Sequence, residues 1–229
     1  MKRPIYICLE GGEGTYKTTT STALALALEG MGYRVLLTKE PGTSHLPVTI
    51  RLRELMLSNE FDESLTPMAR EFLSQAIRSI HLEKLIYPAL TNDQYDYIIQ
   101  DRGLASGIVY ATCCGIDGNF IDQLNSMVFS FIKGKGLDHF YDYTFIMKQD
   151  DLTVDDAIAA KDEFGNGDAM ESRGIEFHTK VNALFDDLTE LGDDPIAKVM
   201  YGDISRVFVT GKSKDSIVSE ILEKVNVNR

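Results

Sequence analysis

Residues 9–20 read Leu-Glu-Gly-Gly-Glu-Gly-Thr-Tyr-Lys-Thr-Thr-Thr. Just before them, residues 5–9 form a short apolar run that stops at glycines, which predicts a buried strand. Residues 17–31, rich in Ala and Leu and followed by Gly32, predict a helix with a C-terminal stop. A strand, a glycine-rich turn and a helix in that order make an anion nest. Successive backbone N–H groups point into the turn, and the helix N-terminus adds partial positive charge. Residues 11–18 approach the phosphate-loop pattern G-x-x-x-x-G-K-[ST]. Gly11, Lys17 and Thr18 match it, while Tyr16 occupies the second glycine position. A ring of that size cannot enter a phosphate cradle, so Tyr16 is expected to point away from it. The expected nucleotide contacts are Gly11, Gly12, Glu13, Gly14, Thr15, Tyr16, Lys17, Thr18 and Thr19. Lys17 would reach the β- and γ-phosphates of ATP, and the Thr18 hydroxyl would ligate Mg²⁺.

Outward from the loop, strand and helix patterns alternate. Strands are predicted at 34–38, 97–100, 143–147 and 207–210. Helices are predicted at 50–57, 68–90, within 105–132, at 154–161, 171–191 and 215–225, with a charged, Gly-rich break at 162–168. This alternation predicts an α/β fold with a mainly parallel sheet flanked by helices. In such sheets ligands bind at the carboxyl ends of the strands. The two sharpest motifs, at Gly11 and Asp101, both directly follow predicted strands. No repeat or linker interrupts the pattern, so residues 1–229 read as one domain.

The chain has 229 residues, 44% hydrophobic and 25% charged, long enough to bury one large core. No apolar run reaches the length needed to span a bilayer, and residues 5–9 are too short for a signal-peptide core. A net charge of -12 repels DNA and RNA phosphates. A small nucleotide remains compatible, because local cations and N–H groups override the global field. Cys8, Cys113 and Cys114 match neither a zinc spacing nor a disulfide framework, which predicts reduced thiols in a cytoplasmic protein.

Further segments are specific enough to suggest a family. LEGGEGTYKTTT (9–20), TKEPG (38–42), Arg78-Ser79-Ile80-His81, Tyr87-Pro88-Ala89-Leu90 and DRGLASGIVY (101–110) together resemble the thymidylate kinases, in order and over nearly the whole chain. The resemblance implies a three-layer P-loop kinase fold with a five-stranded sheet. It also implies transfer of the γ-phosphate of ATP to a deoxynucleoside monophosphate, usually dTMP, with Mg²⁺ as cofactor and a homodimer as the assembly. By the same resemblance Arg102 grips the acceptor phosphate, Asp101 joins Thr18 at the metal, and Glu13 positions the metal or the acceptor side. Arg53 is a second cation for the acceptor phosphate, Arg78 meets the base edge, and Tyr110 packs under the deoxyribose. Glu40, Pro41, Ser74, Ser106 and Gly107 complete the expected acceptor site.

The departures from the family pattern are informative. Ser74 stands where many members carry a base-stacking phenylalanine, and the nearest aromatic is Phe72. Gly103 replaces the aromatic after Asp-Arg. Both changes predict a larger acceptor pocket and a broader or shifted base preference. The lid, residues 161–173, reads KDEFGNGDAMESR and keeps only Lys161 and Arg173 as cations. Arg173 is the expected catalytic lid cation, with Lys161 as the other candidate. A kinase of the same fold with another base preference is one alternative. A catalytically weakened nucleotide-binding regulator is another, supported by Tyr16 and the sparse lid. A GTPase is disfavoured because no N-K-x-D motif is present.

Overall fold

The computed structural model describes residues 3–133, 139–149, 168–191 and 194–227. Five strands, β1 (Ile5–Glu10), β2 (Val35–Lys39), β3 (Tyr97–Asp101), β4 (Tyr143–Lys148) and β5 (Asp203–Phe208), form one sheet in the order β2-β3-β1-β4-β5. Every neighbouring pair is parallel. All five strands therefore deliver their C-terminal ends to the same edge. The register aligns Leu9 with Asp101 and Lys39 with Asp101, which brings the residues following β1, β2 and β3 to one place.

Successive residues of β1 alternate between two cores. Tyr6 and Cys8 face one, built with Ile98, Leu82, Ile86, Leu104, Val109, Val181 and Phe185. Ile7 and Leu9 face the other, with Ile99, Phe145, Met147, Leu24, Leu28, Ile217 and Ile221. The second face is covered by α1 (Lys17–Gly30) and α9 (Lys214–Lys224). The first is covered by α4 (Tyr87–Thr91), α5 (Leu104–Cys113), α6 (Gly118–Lys133), α7 (Ile175–Glu190) and α8 (Pro195–Tyr201), which supplies Ala197 and Tyr201. This is the expected three-layer arrangement. The remaining helices are α2 (Pro47–Met56) and α3 (Pro67–His81), which pack on each other. No helix among the described residues is long and apolar enough to cross a membrane.

Several boundaries differ from expectation for identifiable reasons. The single helix expected at 68–90 is split by a π-helical turn, Leu82–Ile86, ahead of α4. Pro88 lacks the N–H that would bond back one turn, so the ladder shifts just before it, and Tyr87 N–H reaches Leu82 O instead. β5 starts at Asp203 rather than at 207, because its first residues are polar and lie on an edge strand, where periodicity gives little signal. Helix α8 has no counterpart among the sequence expectations. Asp168 accepts from Met170 N and Glu171 N in a separate turn, so α7 begins at Ile175 and not at 171. The expected helix 154–161 and residues 162–167 lie outside the described residues.

The turn between β1 and α1 is tightly determined. Gly11 has φ 137°, and a Cβ there would sit 2.4 Å from Met147 O. Tyr16, the residue before α1, has φ 57° and ψ 21°, in the left-handed region, and is 58% exposed. A side chain in that region costs about 1–2 kcal/mol that glycine does not incur. Relieving it is partly offset by the greater freedom of glycine in the unfolded chain. Tyr16→Gly is therefore expected to raise Tm by about 1–4 °C, whereas Tyr16→Ala, which keeps a Cβ, brings no such gain. Calorimetric melts of the two variants check this, and a lower Tm for the glycine variant would refute it.

Candidate active site

One pocket of about 510 Å³ opens at the carboxyl edge of the sheet. Residues 13–19 line one end; Arg70, Glu71, Ser74, Arg78, Gly107 and Tyr110 line the other. Within the loop, Lys17 is buried and its ammonium donates to Gly12 O and to Thr15 Oγ1, the latter at 3.0 Å. Burial, with help from nearby Arg102, lowers its pKa from 10.5 to about 7 against the pull of Glu13, Asp101 and Glu10. Thr18 Oγ1 donates to Asp101 Oδ2 at 2.5 Å. Asp101 Oδ1 is buried and has no partner among the described residues. A carboxylate oxygen left over beside a threonine hydroxyl suits a hard divalent cation.

Arg102 joins the two ends of the pocket. It follows β3 with φ 61°, and its N–H donates to Leu9 O at 2.9 Å. One Nη donates to Gly11 O at 3.0 Å and to Ser106 Oγ at 3.2 Å, and the other to Glu13 Oε1 at 2.5 Å. The guanidinium lies 5.4 Å from the centre of the Tyr110 ring, whose hydroxyl donates to the same Glu13 oxygen at 2.9 Å. Burial opposes the charge on Arg102, but Tyr110, Glu13, Asp101 and Glu10 outweigh it and raise its pKa. Burial pushes the Tyr110 hydroxyl up, so it stays a neutral donor. Glu13 thus stands between Arg102 and Tyr110. Ser106 is held by Glu10, a fully buried carboxylate that accepts from Ser106 Oγ at 2.5 Å and Ser106 N at 3.2 Å.

At the far end, Glu40 accepts from Arg78 Nε at 3.1 Å and pairs with His81 Nδ1 at 2.8 Å. His81 Nε2 in turn meets Thr38 Oγ1 at 2.9 Å. Burial pushes the Glu40 carboxyl up, yet Arg78 and His81 outweigh it and hold its pKa below the usual range. Arg78 Nη1 also donates to Asn125 Oδ1 at 2.7 Å. Gly107 leaves the space this guanidinium needs: a Cβ there would lie 2.6 Å from Arg78 Nη2. Pro41, after a cis Glu40–Pro41 bond, supplies a carbonyl to Arg53 Nη1 at 3.2 Å, and Arg53 lies 3.6 Å from the Asp168 carboxylate.

Except for Gly11 and Gly12, which meet Arg102 and Lys17 through their carbonyls, the expected loop and acceptor residues all line this pocket, with three qualifications. Gly103 does not enlarge the pocket as expected. A Cβ there would sit 2.1 Å from the Tyr141 hydroxyl, 2.9 Å from Gln100 Nε2 and 3.1 Å from Cys8 Sγ, so core groups have filled the space. Phe72 does not replace the ring missing at Ser74; it is 54% exposed and turned away from the pocket that Ser74 lines. Arg173 does not line the pocket, for its guanidinium lies 5.1 Å from the Phe177 ring and donates to Ala169 O. Lys161 lies outside the described residues. Four polar residues were missed by sequence reasoning: Glu10, Glu71, Gln75 and Asn125. Asn125 left a trace, since it falls one turn after buried Ile121 on the apolar stripe of α6, where a polar residue needs a partner.

The Glu40 pair yields a stability test. Glu40 and Arg78 side chains are 4% and 3% exposed. Glu40→Ala leaves a buried guanidinium without its carboxylate and is expected to cost about 3–5 kcal/mol. Because the folded pKa is depressed, the wild-type contribution is present above the unfolded value and is lost as pH falls through the folded one. Urea unfolding of both proteins at pH 7 and at pH 3 should give a large difference at the first and a smaller one at the second.

The family model described as thymidylate kinase matches residues 9–199. A thymidylate kinase of Gluconobacter oxydans is 32% identical over 225 residues, covering 97% of this chain and 94% of that one. A thymidylate kinase of Pseudomonas fluorescens is 32% identical over 219 residues, covering 96% and 97%. Among solved structures, a thymidylate kinase from Ehrlichia chaffeensis aligns with a TM-score of 0.70 at 23% identity, over 98% of this chain and 100% of that one. One from Candida albicans, described for its broad substrate specificity, aligns with a TM-score of 0.67 at 22% identity, over 99% and 92%. With a parallel five-stranded sheet, a phosphate loop and an Asp-Arg pair at its neighbouring strand end, the chain belongs to the thymidylate kinase family of ATP-dependent nucleoside monophosphate kinases.

Proposed function

We propose that this chain transfers the γ-phosphoryl group of ATP to dTMP, giving ADP and dTDP. The observation that carries this reading is Arg102, which touches Gly11 of the donor loop and Ser106 of the acceptor pocket with one guanidinium. A phosphate oxygen of the acceptor attacks the γ-phosphorus as its bond to the β-bridging oxygen breaks. Such a transfer needs in-line positioning and neutralisation of charge more than covalent help. In this reading residues 11–19 hold the triphosphate, with Lys17 on its β- and γ-oxygens. Arg102 and Arg53 hold the acceptor phosphate, Tyr110 supports the sugar, and Arg78 meets the base. Thr18 and Asp101 would hold Mg²⁺, which neutralises phosphate charge when bound. The residues around 161–173 belong to the same reading as a lid. Arg173, its described cation, would have to leave Phe177 to reach the phosphates.

A broader base preference stays open on one observation. Ser74 lines the pocket with no ring at that position, so the base is less tightly enclosed from this helix. A homodimer is part of the proposal as well, supported by Phe72 and Met68 on α3 and Met127 on α6, all exposed apolar side chains. Three unpaired cysteines fit a reducing, cytoplasmic setting.

Two measurements test the reading. A coupled assay for ADP should give turnover that depends on dTMP. Arg102→Ala should lower kcat about 100-fold or more in protein that remains folded; full turnover in that variant would remove Arg102 from its role. The second concerns Lys17. With its pKa lowered to about 7, Lys17 is largely neutral at pH 8.5 in the free protein. The charge penalty of the empty loop is full below pH 7 and fades as pH rises toward 10.5. A bound triphosphate favours the ammonium form, so MgATP binding should take up close to one proton at pH 8.5 and almost none at pH 6. Calorimetry in buffers of different ionisation enthalpy reads this directly, and an uptake independent of pH would refute it.

A further inference from the structure

Glu71, Ser74, Gln75 and Arg78 follow one another at helical spacing along α3, so they form one stripe. Glu71, Ser74 and Arg78 line the acceptor end of the pocket, and Gln75 is buried beside them. A chain of hydrogen bonds runs along the stripe. Arg78 Nη1 donates to Asn125 Oδ1 at 2.7 Å, Gln75 Nε2 donates to the same oxygen at 2.9 Å, and Gln75 Nε2 also reaches Glu71 Oε1 at 2.7 Å. The chain thus ends in a donor, the guanidinium, at one side and an acceptor, the carboxyl, at the other. Glu71 Oε1 takes the Gln75 bond, and Oε2 has no partner among the described residues. Oε2 is not among the fully buried orphan atoms, so it opens to the pocket, where it can accept from a ligand donor.

Resting on the kinase reading above, we propose that Glu71 is a specificity-determining residue that accepts the ring N–H of the acceptor base, while Arg78 donates to the carbonyl beside that N–H. The pair reads a carbonyl followed by an N–H. Thymine and uracil present that edge, and so does the lactam side of guanine. Cytosine and adenine present an amino group and a bare ring nitrogen there, which would set donor against donor and lone pair against lone pair. Burial pushes the Glu71 carboxyl up against the opposing effects of Gln75 and Arg78, in keeping with a group whose ordinary partner is the ligand. Ser74, small and polar between the two, leaves the plane of the base unobstructed.

The test uses the full chain and measures Kd by calorimetry, with kcat measured separately. Wild type, Glu71→Ala and Glu71→Gln are titrated with dTMP, dGMP, dCMP and N3-methyl-dTMP, which lacks the ring N–H. Wild type should bind N3-methyl-dTMP and dCMP about 100-fold more weakly than dTMP. Glu71→Ala should weaken dTMP about 10- to 100-fold and bring N3-methyl-dTMP within about threefold of it. Glu71→Gln keeps an acceptor oxygen and should recover most of the dTMP affinity, which separates recognition from misfolding. In both variants the change should fall more on KM for dTMP than on kcat, which separates recognition of the base from the phosphoryl transfer itself. Binding of dTMP by Glu71→Ala within twofold of wild type, or an N3-methyl penalty undiminished in that variant, overturns the proposal. Absence of any dTMP binding by wild type overturns it too. Glu71-dependent binding without ADP formation would instead sink the transferase reading and leave this one standing.

Discussion

An ionised carboxylate enclosed by protein must be paired, and Glu40 is almost fully enclosed. It sits just past β2 and meets both Arg78 and His81 of α3. His81 extends the contact to Thr38 on the same strand, and Arg78 extends it to Asn125 on α6. One carboxylate therefore ties the sheet edge to α3, which walls the pocket, and through Arg78 to α6 behind it. The arrangement also holds the Arg78 guanidinium in place before any ligand arrives, and such pre-organisation limits the entropy lost on binding.

A second buried carboxylate plays the matching part near the donor loop. Glu10 ends β1 and accepts from both the backbone and the hydroxyl of Ser106, which anchors the start of α5. Ser106 then meets Arg102. The guanidinium that bridges the two ends of the pocket is thus held from the loop by Gly11 and Glu13 and from α5 by Ser106. Three strand ends supply the anchors because the sheet is parallel throughout.

The legible part of this site is the part that lies at strand ends. Gly11, Glu40, Asp101 and Arg102 lie at strand ends, and Lys17 and Thr18 open the helix after the turn that follows β1, all in short motifs whose chemistry is local. Their convergence follows from the topology that the strand–helix alternation predicts. Glu71 and Gln75 were not legible, and Asn125 only as a polar residue on an apolar stripe, because their meaning arises between α3 and α6, which are distant in sequence. Gly103 shows the converse error. A missing ring in the motif suggests an opening, yet Tyr141, from the segment before β4, has its hydroxyl where the side chain would begin. Volume inside a close-packed protein belongs to whichever side chain reaches it, and a single sequence position does not reveal that.

Tyr16 illustrates how a motif can depart in residue type and keep its backbone. The position needs a left-handed conformation, and glycine meets that need without cost. Tyrosine adopts the same conformation and is more than half exposed where it lines the pocket. The N–H groups of the loop do not depend on the side chain, so the cradle survives the substitution and the cost falls on stability. The loop geometry is maintained from outside as well, by Met147 O against Gly11 and by the Asn182 amide of α7 at 2.0 Å from where a Gly12 Cβ would sit. The phosphate cradle is therefore set by backbone and by its packed neighbours, which is why a sequence that breaks the glycine pattern still folds into it.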